Sequence, residues 1–386
     1  MRALPPGHQD LFDGDEPESS GFPGPAGPGR AEAIMSGNAD PDELLPFVSL
    51  IMPVRNEGKF ITECLDAVMV QDYPPDRLEV FIVDGMSTDS TPDIVRSYRG
   101  GRIPLRLLEN PGKIVPKGMN VALAETKGEI IVRVDGHCKI APDYIRRCVD
   151  HIRTDHVDGV GGPVRTMGGT GTARVIALAM SSPFGVGGSA FRTVSDRTML
   201  ADTVPFPAYT RSIIDRAGPY DEELVRNQDD EYNYRLRKLG AKILLAADVR
   251  SEYYSRSSIG SLWRQYYQYG YWKVRVLQKH PRQMKMRQFV PAAFVASLAV
   301  AFGAAPWFFP GIVALVLVGG SYCAANLCAA FLTARRGSPA DIPLLSLAFA
   351  ALHVSYGLGF LVGLVKFRNR WKAPPHAQQS PSQRSQ

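Results

Sequence analysis

FVSLIMPV, residues 47–54, is a run without a charged side chain that ends at Pro53 and Val54 and is followed at once by Arg55, Asn56 and Glu57. A short apolar run without alternation marks a strand buried on both faces, as in a parallel sheet. LEVFIVDG at 78–85 repeats the pattern, and between the two ITECLDAVMVQ, 61–71, sets Ile61, Leu65 and Val68 on one helical side. STDSTPDIVRSY opens with capping residues before its own helix, and a third strand is expected at Leu105–Leu108. A helix over Lys117–Ala124 and a fourth strand in EIIVRVDG, 129–136, continue the alternation. This order predicts an α/β fold of Rossmann type, a mainly parallel sheet with helices on both faces, whose ligands bind beyond the carboxyl ends of the strands.

The flanks differ in composition. Residues 1–42 are rich in Gly, Pro, Ser and acid, as in GDEPESSGFPGPAGPGR at 14–30, and are expected to be disordered. No basic region followed by an apolar core precedes the first strand, so the domain is expected to remain in the cytoplasm. Three apolar segments, Phe289–Phe308, Gly311–Leu332 and Ile342–Val365, have about the length a helix needs to cross a bilayer. Before them, SIGSLWRQYYQYGYWKVRVL at 258–277 mixes Trp, Tyr, Arg and Lys as an interfacial helix does. The expected division is a disordered segment 1–42, an α/β domain 43–257, an amphipathic interfacial region 258–287, a transmembrane region 288–366 and a disordered tail 367–386.

The net charge of +6 comes with no basic stripe interleaved with aromatics in the α/β part, which argues against nucleic acid. Arg282, Lys285, Arg287, Arg335 and Arg336 instead flank the apolar segments, as in loops facing anionic cytoplasmic lipid. Three full crossings place the C-terminus outside, although Lys366, Arg368, Arg370 and Lys372 then oppose the positive-inside rule. The five cysteines form no CxxC pair and are expected as reduced, packed thiols, Cys138 included.

Carboxylates stand just past three strands: Glu57 after the first, Asp84 and Asp89 after the second, Asp135 after the fourth. A single acid there is as often a turn former or helix cap. Acids after three strands of one parallel sheet converge on its carboxyl edge, where a nucleobase, a ribose and a metal-bound diphosphate find partners.

SLIMPVRNE (49–57), VDGMSTDST (83–91), KGMNVALAETKGEIIVRVDGH (117–137) and NQDDEYNYRLRKLGAKI (227–243) together resemble the inverting family 2 glycosyltransferases of GT-A fold. QDYPPDRLEV, GGPVRT, FGVGGSAFR and DTVPFPAY resemble the branch that builds succinoglycan and related exopolysaccharides. The resemblance implies that Pro53, Glu57, Asp84 and Asp89 frame the nucleotide, with Lys113, Lys117 and Asn120 close to the donor. The family's Asp-X-Asp metal motif reads Asp135-Gly136-His137, implying Mn²⁺ or Mg²⁺ as cofactor, with nitrogen from His137 better suited to Mn²⁺. NQDDE aligns Asp229 with the family's general base and leaves Asp230 and Glu231 as helix-start acids or acceptor contacts. Arg264 and Trp272, in text close to a processive motif that is incomplete here, are assigned to the acceptor and diphosphate side.

The implied activity is transfer of one hexose, glucose or galactose, from a UDP-sugar to a polyprenyl-diphosphate-linked oligosaccharide. The implied setting is the bacterial inner membrane, multi-pass, with the catalytic domain cytoplasmic and with membrane lipid and other assembly proteins as partners. A processive polysaccharide synthase and a catalytically silent GT-A scaffold are the alternatives, separated by product length and by UDP release.

Overall fold

A computed structural model describes residues 45–169 and 171–371; the segment 1–42, expected to be disordered, lies outside the described residues, and of the tail 367–386 only 367–371 are described, with Phe367 buried and a helical turn at Arg368–Arg370. The first third forms β1 (Val48–Val54), α1 (Ile61–Met69), β2 (Leu78–Asp84), α2 (Thr91–Ser97), β3 (Leu105–Glu109), α3 (Val115–Leu123) and β4 (Ile130–Arg133). Every residue of β1 is buried, as its unbroken apolar run requires.

The chain continues through β5 (Cys138–Ile140), α4 (Tyr144–Thr154), β6 (Gly159–Gly161), β7 (Val164–Met167), α5 (Gly171–Met180), α6 (Pro183–Val186) and α7 (Ala190–Thr193). Then come β8 (Met199–Leu200), β9 (Ala208–Thr210), α8 (Arg211–Ala217), α9 (Gln228–Lys238), β10 (Ile243–Leu245) and β11 (Ser251–Tyr254).

The main sheet has the order β3-β2-β1-β4-β9-β6-β10-β8, and β5-β11-β7 form a second, small sheet. Strands β3, β2, β1 and β4 are mutually parallel, whereas β9 enters antiparallel between β4 and β6. The mixed half was not legible in advance because its strands have two or three residues, too few to display a period. One sheet face packs Leu50, Met52, Ile82 and Val132 against α1, α2 and α4; the other packs Ile51, Phe81 and Ile131 against α3, α8 and α9. Cys138 is fully buried in the first of these cores, and burial pushes its thiol pKa well up, as a packed thiol requires.

Four helices follow: α10 (Ile259–Lys279), α11 (Val290–Ala304), α12 (Phe309–Ala334) and α13 (Ile342–Lys366). Two of them, α12 and the 28-residue stretch that includes α13, are long and apolar enough to cross a membrane by length and composition. The expectation of three crossings fails at the first: α11 has 15 residues, about 22 Å at 1.5 Å each, short of a hydrocarbon core of about 30 Å. Pro291 opens that helix and Pro306 and Pro310 stand past its end, so the apolar run outlasts the helix it can form.

Of the four cations of α10, expected at the lipid interface, Arg264 is exposed and Lys273, Arg275 and Lys279 turn inward. Lys273 pairs with Asp230, and Arg275 bridges Glu223 at 2.8 and 2.9 Å. Lys279 reaches Glu223 at 2.8 Å. These partners hold the Glu223 carboxyl pKa at about 2 against the opposing effect of burial. Helix α13 lies against α10 backbone to backbone: a Cβ on Gly270 would sit 2.0 Å from the carbonyl oxygen of Tyr356, and one on Gly359 2.1 Å from that of Tyr267.

On the far side of the sheet His151 bridges Asp248 and Asp155, each at 2.7 Å, and the Asp248 bond first of all raises its pKa to about 9. A raised folded-state pKa adds stability that is complete below the unfolded value near 6.5 and is lost as pH climbs through 9. The melting temperature is therefore expected to fall between pH 6.5 and 9 by more in the wild type than in His151→Gln; identical slopes would remove His151 as the cause.

Candidate active site

The ladder between β1 and β2 runs to Val54 opposite Asp84, but the pairing of β1 with β4 stops at Ile51 opposite Arg133. The last bond on that side is Val134 N–H to Ile51 O, 3.0 Å. The next β1 residue facing β4 is Pro53, which has no N–H to donate, so the two strands part there. The crevice thus opens where the strand order turns, with β1 leading on to β2 towards one edge and β4 bordering the half that runs to the other, the point at which open α/β sheets bind ligands.

The loops around the crevice are tied together. His137 Nδ1 donates to Glu57 Oε1 at 2.9 Å, joining the loops after β4 and β1. A Cβ at position 136 would lie 2.8 Å from Val54 Cγ1 and 3.0 Å from Glu57 Cγ, so this approach needs glycine. The loops after β1 and β2 are joined by Thr88 N–H to Asn56 Oδ1 and Asn56 N–H to Ser87 Oγ, both 2.8 Å. Asn56 sits in the left-handed region at φ 57°, which asparagine tolerates better than most residues. Asp84 is buried and accepts from Ser87 N–H at 3.0 Å.

At the centre lies Arg133, 5% exposed, on the sheet face that receives α9. Its Nε and Nη2 donate to Asp135 Oδ1 at 3.2 and 2.9 Å, and its Nη1 pairs with Asp229 on the first turn of α9. Burial works against its charge, but the Asp135 carboxylate outweighs that and keeps the guanidinium protonated. One buried cation therefore holds the acid after β4 and the acid of α9 side by side. Its signal in the sequence was an arginine inside a strand whose neighbours are all apolar, a position charged residues occupy only when paired.

Several candidates are placed differently from expectation. Asp89 is held by Gly58 N–H at 3.0 Å and by Thr91 N–H and Oγ1–H at 3.0 and 2.6 Å; these bonds overcome its desolvation and lower its pKa. It fastens the two loops and bears on the crevice through them. Asn120 accepts from Tyr220 N–H at 2.8 Å and donates to Tyr220 O and Glu222 Oε1 at 3.0 and 2.9 Å, leaving its amide engaged with the segment before α9 rather than with a sugar. Glu231 is 3% exposed, clamped by Arg235 at 2.9 and 3.1 Å and His280 at 3.0 Å, so it is a packing acid and not an acceptor contact. Asp230 pairs with Lys273 of α10, a partner not foreseen. Trp272 donates to Gln268 at 3.1 Å and lies 5.6 Å from the Phe367 ring, packing towards α13 instead of the crevice. Arg264 is exposed on α10. Lys113 and Lys117, in and just after the loop that follows β3, form no ion pair among the described residues.

The described residues include no group of three or more His, Cys, Asp or Glu that could hold a metal unaided. Two donors nevertheless remain in the crevice. Asp135 accepts from Arg133 through Oδ1, leaving Oδ2, and the His137 bond through Nδ1 leaves the Nε2 lone pair. A ring nitrogen oriented by a carboxylate is the usual second-shell arrangement of a metal-binding histidine, and two protein donors suffice where a ligand's phosphates and water complete the shell.

Comparison with known proteins gives this geometry its context. A profile described as glycosyl transferase family 2 matches residues 49–217. The succinoglycan biosynthesis protein ExoA of Rhizobium meliloti is 30% identical over 336 residues, covering 85% of this chain and 98% of that one. The chain belongs to glycosyltransferase family 2. This family 2 enzyme is also similar to a dolichyl N-acetyl-alpha-D-glucosaminyl phosphate 3-beta-D-2,3-diacetamido-2,3-dideoxy-beta-D-glucuronosyltransferase of Methanococcus voltae. That protein is 27% identical, with 60% of this chain and 74% of the other aligned. Among solved structures, a mannosyltransferase of Pyrobaculum calidifontis, in complex with GDP-Man and Mn²⁺, shares the fold with a TM-score of 0.55 at 20% identity, over 82% of this chain and 89% of its own. The sheet is that of a GT-A glycosyltransferase, followed by a helical C-terminal part.

The dependence of the centre on Arg133 can be measured. Replacing Asp135 and Asp229 together by Asn leaves the guanidinium buried without a counter-charge, which costs about 3 kcal/mol. Adding Arg133→Met to that pair is expected to recover most of the loss. Thermal unfolding of the purified variants in detergent reads the difference; a double variant as stable as the wild type would disprove the arrangement.

Proposed function

We propose that the chain transfers a single hexose, glucose or galactose, from a UDP-sugar to a polyprenyl-diphosphate-linked oligosaccharide with inversion at the anomeric carbon. In this reading residues 43–257 are the catalytic domain, facing the bacterial cytoplasm, and the helices from 258 onward attach it to the inner membrane. The observation that carries the proposal is Arg133 holding Asp135 and Asp229 together, because it sets a donor-side acid next to an acceptor-side acid. Similarity to an exopolysaccharide assembly protein and to a transferase named for a dolichyl-linked substrate supports the choice of acceptor.

The roles follow from position. Asp84, buried at the end of β2, and Glu57 face the nucleoside, while Pro53 keeps the crevice open for it. Lys113 and Lys117, without an ion-pair partner among the described residues, balance the diphosphate. Asp229 removes the proton of the acceptor hydroxyl as that oxygen bonds to the anomeric carbon from the face opposite the diphosphate. The bond from that carbon to the diphosphate oxygen breaks in the same step, and its electron pair leaves with UDP. Arg133 holds the base in place before the acceptor arrives, and Asp230, fixed by Lys273, borders the acceptor side. Asp135 and His137 would hold a Mn²⁺ or Mg²⁺ ion, which when bound neutralises charge on the departing diphosphate.

Incubating the detergent-solubilised enzyme with a panel of nucleotide sugars and lipid extract is expected to release UDP and to add one hexose to a glycolipid, read by mass spectrometry. Asp229→Asn is expected to lower the transfer rate by about 10²-fold or more with donor binding retained, the usual worth of a general base. Turnover near wild type would relocate the base to Asp230. His137→Asp is expected to keep activity and to shift the preferred cation from Mn²⁺ towards Mg²⁺, since carboxylate is the harder ligand. Titration of both metals decides this, and an unchanged preference places His137 outside the metal's coordination shell.

A further inference from the structure

The apolar helices follow a path that simple length counting does not give. Both ends of α13 are fastened to the catalytic domain. At its start Asp341 accepts from Arg174 of α5 at 2.9 and 3.0 Å. At its end Gln278 donates to Phe367 O at 2.8 Å, and Arg370 reaches Glu223 at 2.7 Å. Arg174 and Glu223 belong to one folded domain, so the two ends of α13 lie on one side of any membrane. Half of its most apolar stretch is buried within the protein, against 6% for α12.

Helices α11 and α12 also leave from this side and return to it. Before α11, Lys285 pairs with Asp202 and Arg287 donates to Gly188 O at 3.0 Å. After α12, a Cβ on Gly337 would lie 3.0 Å from Leu178 of α5. From Tyr322 onward α12 runs along α13, with Tyr322 Oη and His353 Nδ1 at 3.1 Å and Asn326 Nδ2 donating to Ser346 O at 3.1 Å. The stretch before Tyr322 extends past this contact, paired with α11: a Cβ on Gly319 would meet Leu298 at 3.8 Å, and beyond Tyr322 α12 keeps Leu327, Phe331 and Leu332 half-exposed on its side away from α13. That stretch, from Phe309 to Ser321, is about 18 Å of helix, little more than half of a hydrocarbon core of about 30 Å.

The projection is built for lipid. No charged residue occurs between Arg287 and Arg335. Val300, Phe302, Trp307, Phe308, Phe309 and Leu317 are 65–80% exposed. The turn at the tip leaves few polar groups bare, as hydrocarbon demands. Pro306 and Pro310 carry no N–H, and those of Ala305, Trp307, Phe308 and Gly311 are bonded within the turn. Exposed Arg282, Arg287, Arg335 and Arg336 flank the base of the hairpin, where anionic headgroups would lie.

We infer that the chain is held in one leaflet by a re-entrant hairpin, α11–α12, with the Trp307-Phe308-Phe309 tip inside the bilayer, and that no segment of it crosses. Helix α13 lies on the cytoplasmic side of that hairpin, and the basic cluster Lys366, Arg368 and Arg370 stays inside, as the positive-inside rule prefers. The inference rests on the proposed membrane attachment of the enzyme and replaces the three-crossing topology.

The full chain is tested with a fluorescent reporter that is bright only in the cytoplasm, fused before Met1 or after Gln386, both expected to be bright in the membrane fraction. A second measurement places one reactive cysteine at Trp307→Cys, with Cys323 and Cys328, exposed on α12, changed to Ala and only the buried Cys64, Cys138 and Cys148 left. An impermeant maleimide added to spheroplasts is expected to leave it unlabelled, and labelling to appear after detergent. A dark C-terminal reporter beside a bright N-terminal one, or labelling from outside, overturns the hairpin alone. A protein found wholly in the soluble fraction overturns membrane attachment as well.

Discussion

A guanidinium inside a β-sheet must be matched by charge or be expelled, and in this enzyme the match determines what stands next to what. Arg133 occupies a strand whose other residues are apolar, so it is fixed by the sheet and cannot follow its partners. The partners come to it: Asp135 from the turn two residues on, Asp229 from a helix almost a hundred residues later. The acid-rich first turn of α9 suits the positive end of the helix dipole, and the same turn is drawn to the buried cation. Helix α10 and the residue that ends it then close on α9 through Lys273 and His280, so the chain from sheet to C-terminal apolar helices is linked by opposite charges across apolar walls.

The parallel half of the fold was legible because β1 and β2 are long, apolar and bounded by polar turns, and each strand of that half fell within a few residues of its expected place. The antiparallel insertion of β9 was not, since three residues carry no period and their pairing is decided by distant chain. At the site, the motif positions lie on the loops that border the crevice, but they do not tell which side chains stay free. Asp89, Asn120 and Glu231 stand in the expected places and are engaged by backbone amides, a neighbouring loop and an ion-pair cluster. Composition records that a residue is polar; only the fold records whether another group already answers it.

The apolar C-terminal third shows the same limit from the other direction. Segment length correctly marks α12 and α13 as candidates for membrane, yet hydropathy cannot tell lipid from protein as the apolar neighbour. The glycines of α13 answer that question, because they admit the backbone of α10 at distances no side chain allows. The cations of α10 are as informative, since a lysine facing lipid headgroups would not be buried against Asp230.

The contact between α13 and α10 has a geometric consequence. Glycine-lined helices pack at the short end of the usual 8–10 Å spacing, and at Gly270 and Gly359 no side chain stands between the two backbones to absorb displacement. Asp230 and Glu231 of α9 are tied in turn to Lys273 and His280, so Asp229, on the same helical turn, rides at a set elevation above the apolar helices. On the proposed reading, in which the acceptor is lipid-linked, such a stack acts as a spacer that fixes the height at which a hydroxyl meets the base.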